Sequence, residues 1–207
     1  MLYIGDLSSR DASVLADAAQ EAASILEFGV GGSTQIFAQV APAGTLIESL
    51  DTSADWIART AAILGAMGLA ERVAFRAYAD WQGESEHVRY DLVFDDGIDE
   101  LRLDFAQRVW PRLKIGGKLI FHDTRRPRDF VNVLQFASRC YLEIGEILPN
   151  AAGSNLTIVT KRGPQPYENW NLAEMRSPLM VGWAPVEETV AYVRQALRTE
   201  AQAEVAS

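Results

Sequence analysis

A doubly wound α/β domain on a mostly parallel sheet is what this 207-residue chain predicts, and three observations predict it. Short apolar runs alternate with helical patterns, the signature of βαβ units. The first run ends in a glycine-rich turn, Gly29-Val30-Gly31-Gly32-Ser33, that opens a helix. The last two runs are joined by Pro149-Asn150-Ala151-Ala152-Gly153 alone. That joint is too short for a parallel crossover and favours an antiparallel hairpin.

Taken in order, residues 11–23 are Ala-rich with a polar start and read as a leading helix. Ser24-Ile25-Leu26-Glu27-Phe28 is a first strand, and a helix begins at Ser33. Residues 45–51 read as strand two, 54–67 as a helix and 72–76 as strand three. Asp91-Leu92-Val93-Phe94 is a buried strand entering Asp95-Asp96-Gly97. A helix over 99–113 follows, stopped by Gly116-Gly117, then a strand, Lys118-Leu119-Ile120-Phe121, ending at His122-Asp123. Residues 129–138 read as a helix, and 141–147 and 155–160 as the closing hairpin. Residues 1–163 thus form the main domain, and 164–207 an extension of that same domain ending in a helix over about 186–203. Val186, Val190, Val193 and Leu197 give this helix one apolar stripe, read as packing on the parent domain in preference to homodimer formation.

The composition, 48% hydrophobic and 23% charged, is enough for one core without disulfides or structural metal. The single cysteine, Cys140, cannot form an internal disulfide and reads as a small buried apolar residue, which suits a reducing compartment. The first six residues lack a basic, apolar secretory start, and no run approaches a membrane span, so no membrane partner and a cytoplasmic location are expected. A net charge of −9 repels nucleic-acid backbones. The basic run Arg125-Arg126-Pro127-Arg128, even with Lys161-Arg162, is too small to reverse that sign, so a small-molecule substrate is expected and a nucleic acid is not.

The glycine turn sits at the carboxyl edge of the sheet, where open α/β sheets bind ligands. Glycine there lets the backbone turn sharply and lets a ligand lie against it. A Gly-x-Gly cluster alone is equally a structural turn. Two details sharpen it. Thr34 stands where a dinucleotide fingerprint has its third glycine, and Glu27 precedes the first glycine by two positions. A carboxylate there repels a pyrophosphate and suits a ligand carrying an ammonium and a sulfonium. Asp51 closes strand two, where an acid can accept both hydroxyls of a ribose. The alternative, Asp51 as N-cap of the helix from Ala54, stays open.

Leu26-Glu27-Phe28-Gly29-Val30-Gly31-Gly32-Ser33-Thr34 resembles motif I of the class I S-adenosylmethionine-dependent methyltransferases. Leu50-Asp51 through Asp55-Trp56 resembles their acidic second motif, Tyr90 through Gly97 the fourth, and Gly116 through Asp123 the fifth. The four landmarks keep the family's order over roughly residues 20–160. The resemblance implies a Rossmann-like seven-stranded sheet, order 3-2-1-4-5-7-6, with strand 7 antiparallel. It implies S-adenosylmethionine as cofactor, with Glu27 at the methionine amino group, Gly29 and Gly31 beneath the ligand, and Asp51 on the ribose. Ser33, Thr34 and Thr52 belong to the same contacts, and Ala79 and Asp80 match the position that meets the adenine. The implied function is methyl transfer to a small-molecule acceptor, O-methylation in particular. A nicotinamide-dependent oxidoreductase and a binding protein without turnover are the alternatives.

Methyl transfer to a hydroxyl needs alignment, a dry pocket and removal of a proton. Candidates cluster at the mouths of strands four and five: Asp96, His122 and Asp123 as catalytic residues, with Asp95 beside them unassigned. Period-two alternation sends Asp95 and Asp96 to opposite faces, and Gly97 aligns Asp96 with the family's fourth-motif acid. In one reading Asp96, Asp123 and His122 bind a divalent cation, as in the similar catechol and caffeoyl-CoA O-methyltransferases. Those have Asp-Asn at strand five, where this chain has His122-Asp123. The departure favours a metal-free site with His122 or Asp123 as base or as substrate anchor. Asp123 as a turn cap before Pro127 stays open. Trp81, Trp110, Trp170 and Trp183 either wall an acceptor pocket or, as is commoner for aromatics, lie in the core. Residues 167–183 are the natural place for a lid, and His87 reads as solvated.

Overall fold

The computed structural model describes residues 2–81, 88–140, 142 and 144–163. The chain divides into two units after Pro164, and the described residues all lie in the first. The terminal helix, the 167–183 segment, Trp170, Trp183 and His87 fall outside the described residues.

Seven strands run β1 (Ser24–Phe28), β2 (Leu46–Asp51), β3 (Ala74–Ala77), β4 (Tyr90–Asp95), β5 (Leu113–Phe121), β6 (Ile147–Leu148) and β7 (Thr157–Thr160). They form one sheet in the order β3-β2-β1-β4-β5-β7-β6. The first five are mutually parallel, and β7 is antiparallel to both β5 and β6. The order in which strands are added reverses between β1 and β4, so a crevice opens beyond their carboxyl ends. Every residue of β1 is buried, because helices cover both faces of the sheet.

Five helices supply that cover: α1 (Ser9–Gln20), α2 (Gly32–Val40), α3 (Ala54–Ala66), α4 (Asp99–Val109) and α5 (Pro127–Arg139). Leu15, Ile36, Phe37 and Leu64 pack with Ile25, Ile47, Leu92, Phe94 and Ile120 on one face of the sheet. Phe105, Val109, Val133 and Phe136 pack with Leu26, Phe28, Val93, Leu119 and Phe121 on the other. Each such fully buried large side chain contributes about 1.5–3 kcal/mol over its exposed state. Trp81 and Trp110 belong to the second core, as buried rings and not pocket walls.

Several elements differ from expectation. α1 begins at Ser9 and not at Asp11, because Ser8 is the N-cap and Asp11 the reciprocal partner of a capping box. α4 ends at Val109, where Pro111 cannot continue the hydrogen-bond ladder, and Gly116-Gly117 lie inside β5. β3 spans Ala74–Ala77, shifted from the expected 72–76 because residues 70–72 form a short 3-10 turn. The penultimate strand is only Ile147–Leu148, pairing with Val159 and Ile158, so most of the expected 141–147 strand is not β structure.

Candidate active site

The turn after β1 is shaped by three close backbone approaches. Gly29 has φ +100°, and a Cβ there would lie 2.2 Å from the Asp96 carbonyl oxygen. A Cβ on Gly97 would lie 2.1 Å from the Phe28 ring. The turns leaving β1 and β4 therefore interlock, and the Asp96 N–H donates to the Phe28 carbonyl (2.7 Å). Gly31, the N-cap of α2, has open space where a side chain would stand. That space belongs to a cleft of about 620 Å³ lined by residues 29–33, Asp51, Thr52, Ser53, Trp56, Asp96, Gly97, Ile98 and the segment 4–7.

Asp51 faces this cleft from the end of β2. Its Oδ2 accepts the Val30 N–H and its Oδ1 the Ser53 N–H, each at 2.8 Å. Both oxygens keep a further lone pair, so the side chain is held rigid while still able to accept a pair of hydroxyls. The N-cap of α3 is Ser53, whose Oγ accepts the Trp56 N–H, and not Asp51.

Glu27 is fully buried and does not line the cleft. Its carboxylate accepts hydrogen bonds from Ser33, from Thr34 Oγ1 (2.6 Å) and from Ser49 Oγ (2.7 Å). Thr34 Oγ1 also accepts the Gly31 N–H at 2.9 Å. Burial pushes the Glu27 carboxyl up to about 7; the three hydroxyls oppose the shift and the Asp96 charge adds to it. The expected direct grip of Glu27 on a ligand ammonium is thus not presented, because the acid is turned inward and braces the glycine turn. Thr34 is likewise buried away from the cleft, while Ser33 lines it and gives its hydroxyl to Glu27. Ala79 and Asp80 lie exposed on a short 3-10 turn and are not among the cleft's walls. The exposed apolar side chains that do line it are Ile4, Trp56 and Ile98.

Beyond β4 and β5, Asp96, His122 and Asp123 come together, with one potential ligand atom from each inside a 4.8 Å span. His122 Nδ1 is 2.9 Å from Asp96 Oδ1, and Nε2 is 4.0 Å from Asp11 Oδ2. Burial disfavours a charge on His122. The Asp96 hydrogen bond and the charges of Asp96, Asp123 and Asp11 outweigh it, so the imidazole pKa rises above its usual value. Asp95 and Asp96 do diverge: Asp95 is fully buried, whereas Asp96 opens on the cleft. Burial keeps the Asp95 carboxyl well above the usual carboxylate range against the pull of Arg102.

The donor set is geometrically close enough for a divalent ion, yet its oxygens are engaged. Arg102 is buried, donates to the carbonyls of Gly97 (2.7 Å) and His122 (3.2 Å), and pairs with Asp96 Oδ1 at 3.1 Å. Its Nη2 lies 3.9 Å from Asp123 Oδ2, which also holds Arg126, while Asn155 Nδ2 donates to Asp123 Oδ1 (2.9 Å). Two guanidinium groups stand where a cation would act, and a metal would have to displace them. Asp123 has φ +59°, and its carbonyl accepts the Arg126 N–H, so the residue closes a turn as well.

A putative O-methyltransferase from Klebsiella pneumoniae superposes with a TM-score of 0.63 at 20% identity, covering 78% of this chain and 84% of that one. The O-methyltransferase TomG from Streptomyces achromogenes, solved in complex with S-adenosylmethionine, gives 0.61 at 16% identity over 76% and 82%. The chain has the class I methyltransferase fold. A putative caffeoyl-CoA O-methyltransferase from Staphylococcus aureus gives 0.61 at 18% identity, over 76% and 86% of the two chains. No family model and no curated protein matches the sequence.

On this methyltransferase fold, several residues at the candidate site escape a reading of motifs: Asp11, Arg102, Asn155, Ile98 and the segment 4–7. A signal exists for two of them. Arg102 shares the buried face of α4 with Phe105, Ala106 and Val109, and Asp11 shares that of α1 with Leu15 and Ala18. A charge on the core stripe of a helix has to find a buried partner.

Proposed function

We propose that this chain is an S-adenosylmethionine-dependent methyltransferase that methylates a hydroxyl of a small molecule. The observation that carries it is the Asp51 carboxylate, steadied by two backbone amides beside a glycine turn with room for a ligand. A cleft of about 620 Å³ falls in the range of small-molecule and cofactor sites. Asp51 would accept the ribose hydroxyls, Gly29 and Gly31 leave the backbone bare for the aminoacyl portion, and Trp56 and Ile98 offer apolar walls for the base. Glu27 serves the same ligand indirectly by holding the turn in shape. A nicotinamide dinucleotide fits less well, because Thr34 replaces the glycine that its fingerprint requires.

When bound, S-adenosylmethionine supplies a methyl carbon whose bond to sulfur breaks as the acceptor oxygen bonds to it, leaving the electron pair on sulfur. The chain's own residues handle the proton. Asp96 holds the proton of His122 on Nδ1, which leaves the Nε2 lone pair toward the neighbouring polar cavity to accept the acceptor's proton. Asp96, Asp123 and Asp11 then stabilise the imidazolium that forms. Arg102 joins the ends of β4 and β5 so that His122 and Asp96 keep their spacing.

The structural neighbours described as O-methyltransferases support oxygen as the acceptor atom. Arg126 and Arg128 are paired with Asp123, Asp129 and Asp99, and Lys161 is buried, which supports a small acceptor over a nucleic acid. The test is to supply methyl-labelled S-adenosylmethionine with a panel of hydroxyl compounds and follow S-adenosylhomocysteine. Acceptor-dependent release is expected. Tight cofactor binding with no release across the panel would favour a binding protein instead.

A further inference from the structure

We infer that the polar cavity beside His122 takes an acceptor bearing an anionic oxygen group, a carboxylate or a phosphate, held by Arg10 and Arg125. Calling the ligand an acceptor rests on the methyl-transfer reading; the anion site itself stands on geometry alone. The cavity measures about 640 Å³ and meets the cofactor cleft at Asp6, which lines both. Its walls are polar or charged side chains and one glycine, with no large apolar or aromatic residue among the described ones. Small-molecule pockets are ordinarily mostly apolar, so this one selects a strongly polar occupant.

The charges in the cavity do not cancel in pairs. Asp11 accepts from the Ser8 N–H and Oγ and from the Asn155 N–H. Asp123 is taken by Arg126 and Asn155. Asp6 pairs with neither remaining arginine. Arg125 Nη2 donates to the Gly153 carbonyl at 2.5 Å, with no carboxylate partner among the described residues. Arg10 has no hydrogen-bond or ion-pair partner among the described residues. Gly153 brings these two together: its bare Cα faces the Arg10 guanidinium, whose Nη1 a Cβ there would meet at 2.6 Å. Two guanidinium groups from different segments therefore meet one glycine without a shared anion. Their planar donor sets match a carboxylate or phosphate, which would relieve the repulsion between them. An acceptor anchored there shares its cavity with His122 Nε2, the proposed base.

The test is the thermal unfolding of the full chain at constant ionic strength, with inorganic phosphate or acetate replacing chloride. A saturable rise in the midpoint is expected for at least one anion, and the one that acts tells a phosphate group from a carboxylate. Arg10→Gln/Arg125→Gln should weaken that response about tenfold or more, with S-adenosylhomocysteine affinity unchanged within about twofold. Arg10→Gln alone, at an exposed position, provides the same readout should the double variant fold poorly. No response up to about 50 mM, or equal responses in wild type and variant, would overturn the proposal. Failure of S-adenosylhomocysteine to bind while the arginine-dependent anion response persists would overturn only the methyltransferase reading.

Discussion

The glycine-turn cleft and the polar cavity lie side by side at the same edge of the sheet, yet they are made differently. The cleft is built mainly from backbone: a glycine turn, two amides on Asp51, and two turns interlocked at Gly29 and Gly97. Its key residues fall in three short segments, each directly after a strand. The cavity is built from side chains drawn from three distant stretches, 6–11, 122–126 and 153–155. Its properties come from how their charges pair. Backbone requirements leave a local mark on a sequence, whereas a charge network leaves its mark only after folding. Under the proposed function the same division would assign work: the cleft to the cofactor, and the cavity side to the proton and the acceptor.

The most severe way to break the comparison is at the seam. Gly29→Ala places a methyl group 2.2 Å from the Asp96 carbonyl oxygen and forces a positive φ on alanine. It should cost about 4 kcal/mol or more of folding stability in urea titration, since neither turn can move alone. A loss below about 1 kcal/mol would mean the two sites are not locked together. On the cavity side, His122→Gln should lower turnover by about 100- to 10,000-fold through loss of the base. In the wild type the acid limb of the pH profile should rise with an inflection above 6.5, because the neutral ring is the active form and its pKa is raised. A variant that keeps full turnover would remove His122 from the chemistry.

On the cleft side the expected effect is smaller and concerns stability. Glu27 ionises near 4.5 when unfolded and near 7 when folded, so folding favours its protonated form. Its contribution is fully present below about pH 4.5 and is lost as pH rises through about 7, on the order of 3 kcal/mol. Glu27→Gln should flatten that part of the stability profile; an unchanged slope would refute the buried-acid account. The smallest effect is expected from chelation. EDTA should leave turnover unchanged within about twofold, since Arg102 and Arg126 already neutralise Asp96 and Asp123. A requirement for added magnesium would show that those pairs open.

Much of the architecture was legible because parallel strands buried on both faces read as apolar runs and because glycine turns have few substitutes. Strand order followed from the resemblance of four motifs, and the hairpin from a joint too short to cross over. The two-residue extent of β6 was not legible, since so brief a strand has no periodicity. At the site, Asp51, Asp96, His122 and Asp123 could be placed by their position at strand ends. The inward turn of Glu27 could not, because it depends on hydroxyls at 33, 34 and 49 converging from two elements. Arg102 was overlooked because an arginine in a charged helix looks solvated until its spacing to Phe105, Ala106 and Val109 is counted.

The division of labour is tested most directly by calorimetric titration of S-adenosylhomocysteine into the wild type, Asp51→Ala and His122→Gln. Binding to the wild type is expected, weakened by about 1–3 kcal/mol in Asp51→Ala from unpaired hydroxyls and unchanged within about twofold in His122→Gln. Absence of binding to the wild type, or an equal loss in both variants, would contradict it.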